Sequence, residues 1–500
     1  MLEPGTLALL LAGSAVGTLC LITALHSAVR AGDWNITAVF IIALGWLMNL
    51  PDLALAWSGK ASFVTDVFGN KLLLHAVANP YFSALRWMLI VIILLTVALA
   101  FWRGVSTKWR GIHYITVSAL LLHIAIVFST GLNHGKMFSA AQMGLAAALV
   151  VCAVLPTGRG APLGAGVFGV TLAIFSGLAA AVRPEWAVEP CRDDKCGPLG
   201  FLYRGVLGHE NALGITLALA LPYVYLGFRG KVRFVLTLYV AGMAALTGSR
   251  TALIAVTVTI LALTILQPRH GTSADWWRLR AAWAIVASGL VTGFVLPMME
   301  SYSHTYTGRG YLWSVAYQKV DSAPVIGFGR DALLGLSQEH INPLIYSIHN
   351  QLLDTRFMAG WIGFLLFLGI LAAMVQNAAG SQRVAMLTVL TAPIYIGITE
   401  RPWSLAELNG LTFSLLAAIL CSAEAMEGRA HHRPTVSSGE VRGLSSLGAS
   451  DSRHPLTVNR LRMRPHGRMC GRDCGYFGEC FLRCGRGGAE QPRKQGEDSQ

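Results

Sequence analysis

Three residues of the chain have the types and spacing to do chemistry together. Arg250 ends the corner of LTGSRTALIAV, Arg309 lies in TGRGYLW between two glycines that let a ligand approach the backbone, and His349 precedes Asn350 at the head of HNQLLDTRFMAGWIGFLLFL. Guanidiniums hold phosphate oxygens in a bidentate fork and keep their charge at any physiological pH. An imidazole, with an ordinary pKa near 6.5, exchanges a proton close to neutrality. Two guanidiniums and one imidazole make a set suited to a diphosphate and a proton. Each residue alone has a plainer use. An arginine at a span end is commonly a snorkelling anchor, a histidine in a loop is commonly only solvated, and TGRG lacks the spacing and trailing Lys-Ser/Thr of a P-loop.

Composition says what must position them. Hydrophobic residues make up 54% of the 500 and charged ones 13%, with a mean hydropathy of +0.54. That balance belongs to a polytopic all-α membrane protein, because a spanning helix needs about 20 apolar residues to cross about 30 Å of hydrocarbon. Spans are expected at 5–29, 36–57, 82–101, 111–130, 137–155, 163–182, 211–228, 232–248, 251–267, 281–298, 358–376, 383–399 and 405–422, which makes about 12–13 transmembrane helices.

The organisation expected is an N-terminal transmembrane bundle over 1–182, a core over 183–422 and a basic tail over 423–500. One long polar loop, 299–357, interrupts the core, and long loops in compact proteins are usually functional. Three short connections are basic: Arg103, Lys108 and Arg110; Arg229, Lys231 and Arg233; Arg269, Arg278 and Arg280. The positive-inside rule makes them cytoplasmic and turns 58–81, 183–210, the Ser249-Arg250 corner and the long loop outward. The first segment lacks a basic n-region and reads as a span that starts outside, not as a signal peptide.

Cys20, Cys152 and Cys421 fall in spans as small apolar residues, whereas Cys191 and Cys196 lie in an outward loop where a disulfide can form. The tail has too few large apolar residues to offset the entropy of ordering and is expected to be disordered. Its Cys470, Cys474, Cys480 and Cys484 lack the two-residue gap of a zinc ribbon. No nucleic-acid module accompanies the net charge of +13, which attraction to anionic lipid headgroups explains.

LTGSRTALIAV, then TGRGYLWSVAYQKVDSAPVIGFG, then HNQLLDTRFMAGWIGFLLFL closely resembles the core domain of the O-antigen ligase and polymerase family. The resemblance covers about residues 200–376, and Gly205 and Asn211 in YRGVLGHENALGITLALALP fit it. It implies a metal-independent glycosyltransferase without a cofactor, working on the outer face of the cytoplasmic membrane. The donor would be a glycan on undecaprenyl or a similar polyprenyl diphosphate, and the acceptor a hydroxyl of another glycan or glycolipid. Arg250 and Arg309 match the family's essential arginines and His349 its catalytic histidine. Attack from the face opposite the diphosphate would invert the anomeric centre, and the same residues serve a polymerase and a ligase.

Further candidate substrate contacts are Arg204, Asn211, Tyr311, Trp313, Asn350, Arg356 and Glu400. Tyr311 and Trp313 could stack on sugar rings or anchor the membrane interface. Glu400 could orient His349 or bind acceptor, although beside Arg401 the expectation is an ion pair with that neighbour or solvation. The rival classes are a flippase for the same lipids, which should carry charges along several spans and matched discontinuous helices, and a non-catalytic assembly protein, which would have no need of all three of Arg250, Arg309 and His349.

Overall fold

Helix α5, Gly160–Val182, is the buried centre of the protein. It packs against α7 (Glu210–Gly227), α2 (Ile36–Ser58) and α1 (Pro4–Arg30). Its glycines make this possible. A β-carbon at Gly166 would stand 3.0 Å from the Tyr223 carbonyl of α7, and one at Gly169 would collide with the Ala220 side chain. Between helices in lipid, such close approach supplies the van der Waals contact that hydrophobic burial supplies in water.

The computed structural model describes residues 3–58, 62–65, 71–74, 114–155, 159–192, 195–266, 275–299, 309–332, 347–378 and 381–431, with isolated positions between 87 and 98. The remaining helices among these are α3 (Tyr114–Leu132), α4 (Ala140–Val154), the short α6 (Pro184–Ala187), α8 (Val232–Leu246), α9 (Arg250–Leu266), α10 (Asp275–Met299), α11 (Arg309–Val320), α12 (Gln351–Asn377), α13 (Ser381–Ile396) and α14 (Thr412–His431). Local sequence sets several starts. Pro4 opens α1, Ser139 and Gln142 form a reciprocal capping box on α4, and Asn350 caps α12.

The structure is a mostly helical membrane protein, as composition requires. Among the described residues five helices are long and apolar enough to cross a bilayer, including α1, α3, α5, α12 and most of α10, and shorter apolar helices accompany them. Each expected span outside 82–101 overlaps a helix, the last only from Thr412 where a start at 405 is expected; 82–101 lies largely outside the described residues. Two antiparallel pairs complete the described part, β1 (Ser62–Thr65) with β2 (Lys71–Leu74) and β3 (Val188–Pro190) with β4 (Phe201–Tyr203). The chain divides into Met1–Arg433 and Pro434–Gln500. The tail cysteines fall in the second unit, outside the described residues. The last helix runs on to His431, past the expected end of the final span.

The family-like turn from Pro324 to Gly329 is packed between the end of α3 and α12. Helix α12 breaks at Gly360, where φ is 61° and ψ is −160°. The turn docks into that break: Trp361 N donates to Pro324 O (2.8 Å), Phe328 N to Phe357 O (2.9 Å) and Gly329 N to Met358 O (2.9 Å). Only glycine suits the meeting point. A β-carbon on Gly360 would collide with the Val325 backbone, and one on Gly327 would lie 2.6 Å from Gly360 N. From the other side, Ser129 Oγ at the end of α3 donates to Gly327 O at 3.0 Å. The turn's glycines therefore serve packing between backbones.

Candidate active site

His349 sits just before α12 with φ of 56°, a left-handed conformation that is costly for a residue with a β-carbon. Its surroundings hold it there. His349 N donates to Ser347 Oγ at 3.0 Å, and Ile348 N donates to Asp354 Oδ1 at 3.1 Å. Asn350 uses its whole side chain as a clamp. Its Oδ1 accepts from Leu353 N at 2.8 Å, while its Nδ2 donates to Gly293 O of α10 at 2.8 Å and to Ile398 O beyond α13 at 2.9 Å. Gln351 N also donates to Gly397 O at 2.8 Å. The histidine is thus fixed against the segment that follows α13.

That segment carries Glu400, which is the hub of the site. Its Oε2 lies 2.7 Å from His349 Nδ1, and its Oε1 accepts from Arg309 Nη2. Burial opposes ionisation of Glu400, but His349 and Arg309, with a smaller contribution from His209, outweigh it and hold the carboxyl at about 2. An ionised carboxylate can only accept hydrogen bonds, so Nδ1 carries a proton toward Glu400 and Nε2 is the nitrogen left to exchange one. The expected pairing of Glu400 with Arg401 is replaced: Arg401 turns the other way, to the fully buried Asp354, at 3.4 Å.

Helix α11 brings in Arg309. Trp313, one turn further along the same face, is completely buried and its Nε1 donates to Ile348 O at 3.0 Å. This bond couples α11 to the residue before His349 and places Arg309 at Glu400. Trp313 is thereby a core residue whose ring is covered, whereas Tyr311 is 37% exposed. Gly310 is buried within α11, and Gly308 lies outside the described residues.

Arg250 begins α9 at the end of the Gly248-Ser249 corner, exposed to solvent. Its neighbour Thr251 meets Thr399 through their hydroxyls at 2.8 Å, so the corner abuts the Glu400 segment. The other candidates lie elsewhere or have structural partners. Arg204 pairs with Glu189 on the β3–β4 hairpin, its Nε at 3.0 Å. Arg356 pairs with Asp321 at 3.2 Å and lies 4.3 Å over the Trp361 ring. Asn211 accepts from Lys195 Nζ at 2.8 Å.

Sequence reasoning passed over the groups around Asn211. Lys195 Nζ and Arg192 Nη2 both reach Glu210 Oε1, at 2.9 and 2.7 Å. His209 Nδ1 accepts from Asn211 N at 3.1 Å and caps α7. Burial lowers the pKa of Lys195 while Glu210 opposes the shift, and burial likewise lowers that of His209. The charge of Glu400 opposes the shift at both, as a smaller effect. The signal available in sequence was Glu210 itself, an acidic residue opening an apolar helix and therefore needing a partner.

A helical membrane protein with an arginine–carboxylate–imidazole chain beside the start of a broken helix is the class defined by fold and site. Residues 235–368, which hold Arg250, Arg309 and His349, match the model of the O-antigen ligase family. This part of the chain is similar to the O-antigen ligase domain. A search of curated proteins found no match.

Proposed function

We propose that the protein transfers a glycan from a polyprenyl-diphosphate carrier to a hydroxyl acceptor, as a polysaccharide polymerase or ligase on the outer face of the cytoplasmic membrane. The observation that carries this reading is the simultaneous grip of Glu400 on Arg309 and His349. Arg309 and Arg250 bind the diphosphate. His349 Nε2 takes the acceptor's proton as its oxygen forms a bond to the anomeric carbon. The bond from that carbon to the diphosphate breaks, and the leaving diphosphate carries away the electron pair under the arginine charges. Attack opposite the leaving group inverts the anomeric centre. No step calls for a metal, and the lipid tail of the donor lies against the spans.

The test is transfer by purified protein from an undecaprenyl-diphosphate-linked glycan to a glycan or glycolipid acceptor. His349→Ala should lower the chemical step by about 100- to 10,000-fold, the usual range for loss of a general base, with donor binding retained. Normal turnover by that variant would remove His349 from the chemistry. Loss of donor binding, with normal turnover at saturating donor, would make it a binding residue instead.

A further inference from the structure

The outward hairpin closed by Cys191 and Cys196 sits against the corner that presents Arg250. Inside the ring the backbones of Arg192 and Lys195 exchange hydrogen bonds, Arg192 N to Lys195 O at 2.9 Å and Lys195 N to Arg192 O at 3.1 Å. Their side chains converge on Glu210 at the start of α7, and Lys195 also holds Asn211. The residue after the ring, Gly197, packs directly on the corner: a β-carbon there would lie 3.2 Å from Leu246 O, and one on Gly248 would lie 2.9 Å from Gly197 Cα. Gly248 has φ of 71°, which turns the chain from α8 into α9. Helix α7 braces the same corner, since a β-carbon on Gly214 would lie 2.6 Å from Thr247 Oγ1 and 3.1 Å from Ser249 Cβ. Hairpin, helix start and corner form one packed block, with Arg250 at its edge.

We propose that Cys191 and Cys196 are positioning residues for Arg250: their disulfide holds the hairpin against the Gly248-Ser249 corner, so the diphosphate site is complete only when the pair is oxidised. The inference rests on the glycan-transfer reading and adds a redox condition to it. A ring with a sequence separation of only 5 removes less chain entropy from the unfolded state than a long loop would, so its main consequence is local geometry. Arg250 is exposed and directly follows the corner, and a misplacement of about 1 Å in a positioning group can cost about 100-fold. His349 is held by different contacts, those of Asn350 and Gln351 to Gly293, Ile398 and Gly397, and the corner meets the Glu400 segment at the Thr251–Thr399 hydroxyl contact beyond Arg250. Opening the hairpin therefore weakens donor binding and spares the proton transfer. In the opening step dithiothreitol supplies two electrons, is oxidised to its cyclic disulfide, and leaves two thiols on the protein.

The experiment compares oxidised enzyme, the same enzyme treated with dithiothreitol and then freed of it, and the Cys191→Ser/Cys196→Ser variant. The assay is donor titration with undecaprenyl-diphosphate-linked glycan, alongside binding of undecaprenyl diphosphate alone. Reduction and the double variant should each raise donor KM by about 10-fold or more with kcat within about 3-fold. Reoxidation should restore the treated wild type, and dithiothreitol should leave the double variant unchanged, which excludes the other cysteines. An unchanged KM overturns the proposal. So does a fall in kcat at constant KM, or unfolding of the reduced wild type at assay temperature, which would make the bond a fold staple. If wild type transfers no glycan from such donors, the functional reading fails separately, and binding of undecaprenyl diphosphate decides the hairpin's role: tenfold weaker binding after reduction supports it, and equal binding or none overturns it.

Discussion

Replacing Glu400 by glutamine isolates the hub of the site at nearly constant shape. Arg309 donates to Oε1, so it selects the amide oxygen of the new side chain and turns the amide NH2 toward His349 Nδ1, 2.7 Å away in the wild type. That NH2 needs an acceptor. The neutral imidazole then moves its proton to Nε2, and the nitrogen that should take the acceptor's proton is already occupied. The same inversion of tautomer in serine-protease triads costs about 10,000-fold in kcat, and loss of a general base costs about 100- to 10,000-fold. For Glu400→Gln we expect kcat to fall within that range, about 3–5 kcal/mol of barrier at 1.36 kcal/mol per tenfold. Donor KM should stay within about 3-fold because Arg309 keeps a bonded partner. Stability provides a second readout. Lowering the carboxyl from 4.5 to about 2 in the folded protein favours folding by about 3 kcal/mol. The folded value lies below the unfolded one, so this contribution is fully present above pH 4.5 and is lost as pH falls through about 2. Glu400→Gln should lack that acid-sensitive component in thermal unfolding followed against pH. Single-turnover transfer separates the chemical step from binding. A kcat within about 3-fold of wild type, at matched folding, would refute the assignment of Glu400 as the residue that sets the imidazole tautomer.

Arg309→Lys should lose at least about 10-fold in transfer while remaining folded in the membrane, because an ammonium cannot hold Glu400 and a phosphate in one planar fork; Arg250→Lys should behave alike, and near-normal turnover in both would return them to anchoring roles. Gly360→Ala, which places a side chain at φ of 61° and into the Val325 backbone, should destabilise the fold by about 3 kcal/mol or more in a thermal melt, and an unchanged melt would refute the docking of the 324–329 turn. Cysteines introduced at Ser303 and Ser337 should react with a membrane-impermeant reagent in intact cells while one at Ser273 should not; labelling at 273 would invert the proposed sidedness.

Much of the scaffold is legible as strings of apolar residues, because a bilayer admits few ways to satisfy a backbone. Helix ends are less so. Helix α12 starts at Gln351, seven residues before the expected span at 358, since Asn350 supplies a cap that hydropathy does not register. The basic chemistry of Arg309 and His349 is visible from their types, and Glu400 is visible as a residue that could orient His349, but its bond to Arg309 is not, because the two lie 91 positions apart and the sequence neighbour Arg401 offers Glu400 a nearer partner. Trp313 illustrates the same limit. An aromatic beside a polar loop can face a sugar or the core, and only packing assigns it to the core. The disulfide was legible from compartment and spacing, whereas the joint seating of Lys195 and Arg192 on Glu210 depends on a fold that brings hairpin and helix together.

Asn350 makes the imidazole beside it sensitive to something remote from any sugar. By bonding to Gly293 of α10 and to Ile398 at once, it converts the relative seating of two rods in the bilayer into the position of one ring. Helix α10 leaves Val291, Met298 and Met299 exposed, and a helix whose apolar length disagrees with its bilayer tilts to compensate. Membrane thickness is thereby linked to the seating of His349: a tilt of α10 would move the Gly293 carbonyl, and Asn350 with it.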